Sequence, residues 1–347
     1  MSAETLRWLN HKVLVGFTDH RGKAWHYKQD AQGLEPNHYP GAIPVEDIRR
    51  RLFSWSVIAA PAAAVLEGPS GPEVVTNTNR VALVRSDTKL ILAFHGPDYE
   101  VHQFSEWLVD RLAGLVDDGL HFASAGLLRN GRVGFVSLEL PDSLEPIEGF
   151  KTRPMLLAAS SHDSSYATHF KVVQTFVVCD NTLATAIWHE RQSSSCHTKL
   201  YHSKSTRRFR YQEVRDALKL VFKAGDESSE WIRALSSTKV SKPQFLAALD
   251  LLFHVAPETH DPADATAPKT EHARELIVAS LRHDPRVAPW AGTALGALQA
   301  FNTYYLHERP TRTNRVERNY LDQLSRRAER RDRRVVDALV RAGVEMP

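Results

Sequence analysis

The dipeptide Asn130-Gly131 most narrows what the 347-residue chain can become. Both residues tolerate positive φ at the centre of a two-residue turn. Strand-forming runs flank them at 126–129 and 132–136, so an antiparallel hairpin is predicted there. A second hairpin is predicted from residues 80–85 and 89–94, joined by the polar triplet Ser86-Asp87-Thr88. Between the two, residues 99–116 carry Val101, Phe104, Leu108, Leu112 and Leu115 at helical spacing, with Trp107 and Asp110 elsewhere on the wheel. That spacing predicts a helix packed over a sheet.

Residues 12–17 and 23–28 predict short strands around a turn at His20-Arg21-Gly22. Residues 45–53 predict a helix with Pro44 near its first turn and three arginines on one side. Residues 57–66 read as a buried strand in which Pro61 requires a bulge or an edge position. The sheet is expected to continue through 155–160 and 170–178, joined by the polar loop 161–165. Beyond about residue 211 strand patterns vanish, and helices are predicted at 211–224, 227–237, 242–254, 270–283, 291–307 and 315–341. The stretch 254–270, with Pro257, Pro262 and Pro268, reads as a polar loop. The fold class is therefore α+β, an antiparallel-rich sheet domain over 1–205 followed by an all-helical region over 206–347.

The net charge is only +3, but it is unevenly spread. Residues 196–223 hold eight Lys/Arg against two acids, and 307–341 hold eleven Arg against six acids. The two cysteines, Cys179 and Cys196, form no C-x-x-C pair, so a reducing interior is the default. The first ten residues lack a secretion pattern, and the longest apolar runs are too short to span a bilayer. A cytoplasmic protein is expected.

The segment 197–210 interleaves Tyr201 and Phe209 with Lys199, Lys204, Arg207, Arg208 and Arg210. Cations that track phosphates beside aromatic faces that stack on bases are the ingredients of single-strand binding. The competing reading is a solvated loop entering a helix. Arg85, Lys89 and Arg132, on or near the hairpins with Arg80, are expected either to widen that surface or to be ordinary strand-end charges. Arg326, Arg327, Arg330 and Arg331 near the C-terminus are further phosphate candidates. There Asp322–Arg326, Glu329–Arg333 and Asp337–Arg341 are expected as i, i+4 pairs, with Leu321, Leu324, Ala328, Val335 and Leu339 as a packing face.

His189, Cys196, His197 and His202 are the densest group of metal-ligand types, but their spacing lacks the close pairs of structural zinc. His162, Asp163 and His169 are the residues a metal-dependent nuclease would use, and no pattern of converging carboxylates accompanies them. Cys179, ending an apolar strand, reads as a buried thiol. Asp180, Asn181 and Thr182 read as the cap of a helix over 183–189. Residues 314–319 are expected to brace a helix start with their Asn and Arg donors. Phosphate-loop, dinucleotide and serine-hydrolase motifs are missing, which removes support for those activities.

Four pieces taken together carry a resemblance: Gly22-Lys23-Ala24-Trp25, the run from Phe176 to Cys179-Asp180-Asn181-Thr182-Leu183, His197-Thr198, and residues 314–319. In this order they resemble the phage- and plasmid-borne family catalogued as domain of unknown function 932, over roughly residues 16–319 and without the Pro-rich 257–268 loop. The resemblance implies an accessory protein of a mobile element and carries no catalytic assignment. In outline alone, the element order is also similar to phage single-strand annealing proteins. The expectation is a homo-oligomeric protein that binds single-stranded nucleic acid without a cofactor or covalent chemistry. The alternatives are a metal-dependent nuclease and a module that blocks a host protein.

Overall fold

The computed structural model describes residues 3–23, 27–116, 119–140, 142–176, 181–183, 197–200, 202, 226–253, 267–311, 315–324 and 327–347. The chain begins with α1 (Ala3–Lys12), β1 (Val13–Val15) and a single helical turn α2 (Thr18–Arg21), followed by α3 (Val45–Leu52). No strand forms at Tyr27 or Lys28, where a second short strand was expected. The turn before it is helical instead, entered by Phe17 at φ 55°.

Antiparallel strands then dominate. β2 (Val57–Gly68), β3 (Gly71–Arg85) and β4 (Ile91–His95) form a three-stranded sheet in that order. The register of β2 shifts between Pro61 and Ala62. β2 is also the sheet edge, so a residue without an N–H donor sits where the ladder tolerates it. The expected burial does not hold: past Pro61 only Ala62 is enclosed, and the rest of β2 projects into solvent as a ribbon.

The larger sheet holds β5 (His121–Leu128), β6 (Val133–Glu139), β7 (Leu144–Ile147), β8 (Phe150–Ser161), β9 (Thr168–Phe176), β10 (Asn181–Leu183) and β11 (His197–Leu200). Its order is β1-β5-β6-β8-β9-β10, with β11 also on β9 and β7 on β8. The β5–β6 hairpin forms with Asn130 and Gly131 at φ 57° and 91°, but Leu128 pairs with Val133, so residues 129–132 form a four-residue connection and not the expected two-residue turn, with Arg129 also at φ 50°. Residues 181–183 pair with β9, Asn181 opposite Phe176, so they extend the sheet, while Asp180 and residues 184–189 of the expected capped helix lie outside the described residues.

Both faces of the large sheet are covered, which is why β6 is buried at every position. On one face lie α3 and a helix that starts as a π turn (Ser105–Asp110) and continues as α4 (Arg111–Val116). Phe104, Trp107, Leu108 and Leu112 pack there on Phe122, Val136, Leu138 and Leu156. A Cβ at Gly134 would lie 2.8 Å from the Phe104 ring, so this close approach requires glycine. The helix begins at residue 104 and not at 99, because residues 99–103 are spent on the site described below. The opposite face is covered by α1 through Leu9 and by Leu321 of α9 (Arg315–Leu324).

The helical half comprises α5 (226–237), α6 (Lys242–Phe253), α7 (Ala267–His283), α8 (Ala294–Thr303) with a π turn (Tyr304–Glu308), α9 and α10 (Arg327–Arg341). Ser241 and Gln244 form a reciprocal capping box at the start of α6. α8 is buried along its whole length and is apolar apart from Gln299, Asn302 and Thr303. Phe150 of β8 belongs to this helical core, edge-on to Trp290 at 5.4 Å. Sheet and helices therefore share buried surface across the boundary drawn near residue 205. Among the described residues no helix is long and apolar enough to cross a membrane.

Candidate functional site

A column of rings stands where β4, β8, β9 and β11 end together. Arg111 lies 3.8 Å over Trp107, which stacks on His102 at 3.8 Å. His102 stacks on His202 at 4.0 Å, His202 on Tyr99 at 5.0 Å, and Tyr99 on His95 at 3.7 Å. Beside it, His162 stacks on Phe104 at 4.0 Å and meets the edge of Trp55 at 6.2 Å. Elements distant in sequence converge because β9 pairs with both β8 and β11.

Hydrogen bonds fix the tautomers. His202 Nδ1 faces the Glu100 carbonyl at 3.1 Å and must donate, so its Nε2 is left as an acceptor facing the hydroxyls of Thr168 and Ser160, at 3.3 and 3.4 Å. Thr168 Oγ1 lies 2.7 Å from Ser160 Oγ and 2.7 Å from His102 Nδ1. His95 Nε2 donates to the His162 carbonyl at 2.7 Å. Neither ring nitrogen of the fully enclosed His162 has a protein partner, nor does His102 Nε2.

This environment favours neutral imidazole. Burial, then repulsion from His202 and Arg111, lowers His102 to about 3. Burial lowers His202 to about 4, although the Glu100 carbonyl partly opposes the shift. His162 falls well below the ordinary value through burial, with His202, His102, His95 and Arg85 adding repulsion. His102, His162 and His202 therefore stand as neutral rings that brace the surrounding strand ends, with the Arg111 guanidinium at one end of the column. Its most consequential member is His202, which fixes the backbone immediately before residue 203.

The cations divide sharply. Arg85 is enclosed: it makes two bonds to Asp87, at 3.0 and 2.7 Å, donates to the Asn130 carbonyl and lies 4.0 Å over Trp55. It is therefore not a surface cation, which corrects the expectation that it widens a binding surface. Arg132 is also turned inward, its Nε donating to the Leu92 carbonyl at 2.8 Å. Lys89 is exposed and donates to the Ser86 carbonyl. Lys199 lies on β11 opposite His169. Tyr201, Lys204, Arg207, Arg208, Phe209 and Arg210 lie outside the described residues, as do Cys179, Cys196 and Arg326.

α10 presents the other cationic face. Arg327, Arg330, Arg333 and Arg334 are exposed, whereas Arg331 is held by Asp322 at 2.8 Å and lies over Tyr305. The expected Glu329–Arg333 and Asp337–Arg341 pairs do not form. Glu329 instead reaches the buried Lys171 of β9, because a partner inside the fold outweighs a solvent-screened one on the same helix. Residues 314–319 were expected to brace a helix start, but Arg318 and Asn319 donate instead to the carbonyls of Tyr305 and Leu306, satisfying the end of the preceding helix, while Asn314 lies outside the described residues.

His162, Asp163 and His169 do not converge. Asp163 turns to Arg129 at 3.3 Å and to Ser165, while His162 is sealed behind Phe104. Among the described residues no three His, Cys, Asp or Glu side chains are grouped to hold a metal ion. The column itself escaped sequence reasoning because four histidines at positions 95, 102, 162 and 202 share no spacing.

No curated protein and no solved structure matches the chain. Residues 91–328 match the family model described as Domain of unknown function (DUF932). The match takes in the whole ring column except Trp55, together with residues 176–183, His197-Thr198 and 314–319, and leaves Gly22 and Trp25 outside. Because it covers well over half of the sequence, the chain belongs to the DUF932 family.

Proposed function

We propose that this protein binds single-stranded nucleic acid across a cationic surface that joins the exposed arginines of α10 to the basic segment following β11, serving recombination or replication of a phage or plasmid in the cytoplasm of a bacterial host. The tether between β9 and α10 carries the reading. Lys171 of β9 is ion-paired to Glu329 of α10, and β11 pairs with the same stretch of β9, His197 opposite Lys171. The exposed arginines of α10 thus stand on an element docked to the strand that pairs with β11. From β11 the chain runs through the anchor at His202 into Lys204, Arg207, Arg208 and Arg210. Guanidinium forks suit phosphate oxygens, and Tyr201 and Phe209 supply faces for stacking. Homo-oligomerisation would join such surfaces into the long track that annealing requires.

Anisotropy of a labelled single-stranded oligonucleotide, titrated from about 50 to 200 mM salt, tests this directly, since each phosphate contact adds about 0.7 to the log–log slope. Arg330→Glu/Arg333→Glu/Arg334→Glu is expected to flatten the slope by about 2, and Lys204→Glu/Arg207→Glu/Arg208→Glu by a similar amount. No binding by the wild-type chain ends the proposal. Wild-type slopes in both variants would move the contact surface elsewhere.

A further inference from the structure

The β2–β3 ribbon exposes apolar side chains, and the helical half holds an apolar cavity. Past the shift at Pro61, the ribbon runs from the Ala62–Asn77 pair to Gly68–Gly71, about 20 Å at about 3.3 Å per residue. Two strands alone are marginal in water, yet this ribbon exposes Val65, Leu66, Val74 and Val75 by 61%, 52%, 64% and 46%. Over residues 57–79 its only charges are Glu67 and Glu73, so it is a poor phosphate binder. Leu66 and Glu73 are register partners, so their side chains leave the same face of the ribbon, an apolar group beside a carboxylate.

The cavity lies among α6, α7 and α8 and has a volume of about 150 Å³. Phe245, Leu246, Val278 and Leu281 form its apolar walls, and the exposed Lys242 and Arg282 stand at its edge. An apolar cavity of this size accepts a group as large as benzene, which is the scale of a leucine side chain.

We propose that the tip of one copy's ribbon docks in the α6–α7–α8 cavity of a second copy, with Leu66 entering the cavity and Glu73 facing Lys242 and Arg282. This deepens the self-association named above and rests on that part of the reading, not on nucleic-acid binding. Every copy carries both halves of the joint, so the contact is head-to-tail and propagates into a ring or a filament.

Light scattering on the full chain without nucleic acid tests the joint, with circular dichroism confirming that each variant is folded. Wild type is expected above monomer mass. Leu66→Asp alone and Lys242→Glu/Arg282→Glu alone are each expected to be monomeric. Their equimolar mixture retains one intact joint per pair and is expected to give a species of twice the monomer mass and nothing larger. A wild-type monomer at every concentration overturns the proposal. So does an oligomeric rim variant, which would mean that ribbons pair with each other, and so does a mixture that stays monomeric. Self-association without oligonucleotide binding would remove the nucleic-acid reading and leave the joint standing.

Discussion

His102 lies between an indole and an imidazole, and burial there, with repulsion from His202 and Arg111, disfavours its protonated form. Protonation matters here because His102 and His202 are lowered to about 3 and about 4, whereas an unfolded histidine titrates near about 6.5. Between those values the unfolded chain holds protons that the folded chain lacks, so stability rises with pH across the window and is lost as pH falls from about 6.5. Each histidine contributes up to about 1.4 kcal/mol per pH unit there. Asp87, whose carboxyl is lowered by its bonds to Arg85, works in the same direction but only below its ordinary value near 3.8. Urea denaturation at pH 7, 6 and 5 is therefore expected to show a falling midpoint. In His202→Gln the midpoint should be lower at pH 7 and change less with pH, and an unaltered pH slope would refute the coupling. Gly134 offers a second residue-scale test. Ala at that position would press its Cβ against Phe104, and a loss of about 1–3 kcal/mol is expected from chemical denaturation.

At the scale of elements, what could be read in the sequence was what local chemistry decides. The Asn130-Gly131 turn needs positive φ wherever it occurs, and the 242–254 helix has its own capping residues, so both were legible. Residues 57–66 were legible as a bulged strand but not as an exposed one, since an apolar run has the same composition whether buried or awaiting a partner. α10 shows the same division. Its packing residues Ala328, Val335 and Leu339 are buried as their spacing requires, but Glu329 chose Lys171 over Arg333, and no i, i+4 rule contains a strand 158 positions away. The pair gives a prediction for how α10 is held. Glu329→Ala removes the carboxylate from a lysine that is 4% exposed. A cost of about 2–3 kcal/mol is expected, below the about 3–5 kcal/mol for fully enclosed pairs because Glu329 keeps some access to water. Lys171→Met/Glu329→Leu, which buries neither charge, is expected to recover most of that loss. A double variant no more stable than Glu329→Ala would show that the pair does not set the docking of α10.

At the scale of the whole molecule, composition divides the chain into a sheet part and a helical part, while the packing joins them. Phe150 is a sheet residue by position and a helical-core residue by contact. Arg233 of α5 donates to the Pro146 carbonyl at 3.0 Å, and Tyr166 donates to the Leu321 carbonyl at 3.3 Å. Lys171 adds its ion pair with α10. These links come from both ends of the helical half, so neither part can unfold without exposing apolar surface on the other. Cooperative unfolding is the consequence, in contrast to the independent melting of domains whose interface is small and polar. Trp107 lies in the sheet half and Trp290 in the helical half, so variants that keep one of them as the sole tryptophan of the seven can follow each part by fluorescence. Coincident urea midpoints are expected, together with a calorimetric enthalpy equal to the van't Hoff value. Phe150→Ala should lower both midpoints together, by an amount that corresponds to about 3–5 kcal/mol for a large buried ring. If Trp290 reports unfolding at a urea concentration where Trp107 is still native, the shared core does not couple the halves, and the boundary suggested by composition is a thermodynamic one.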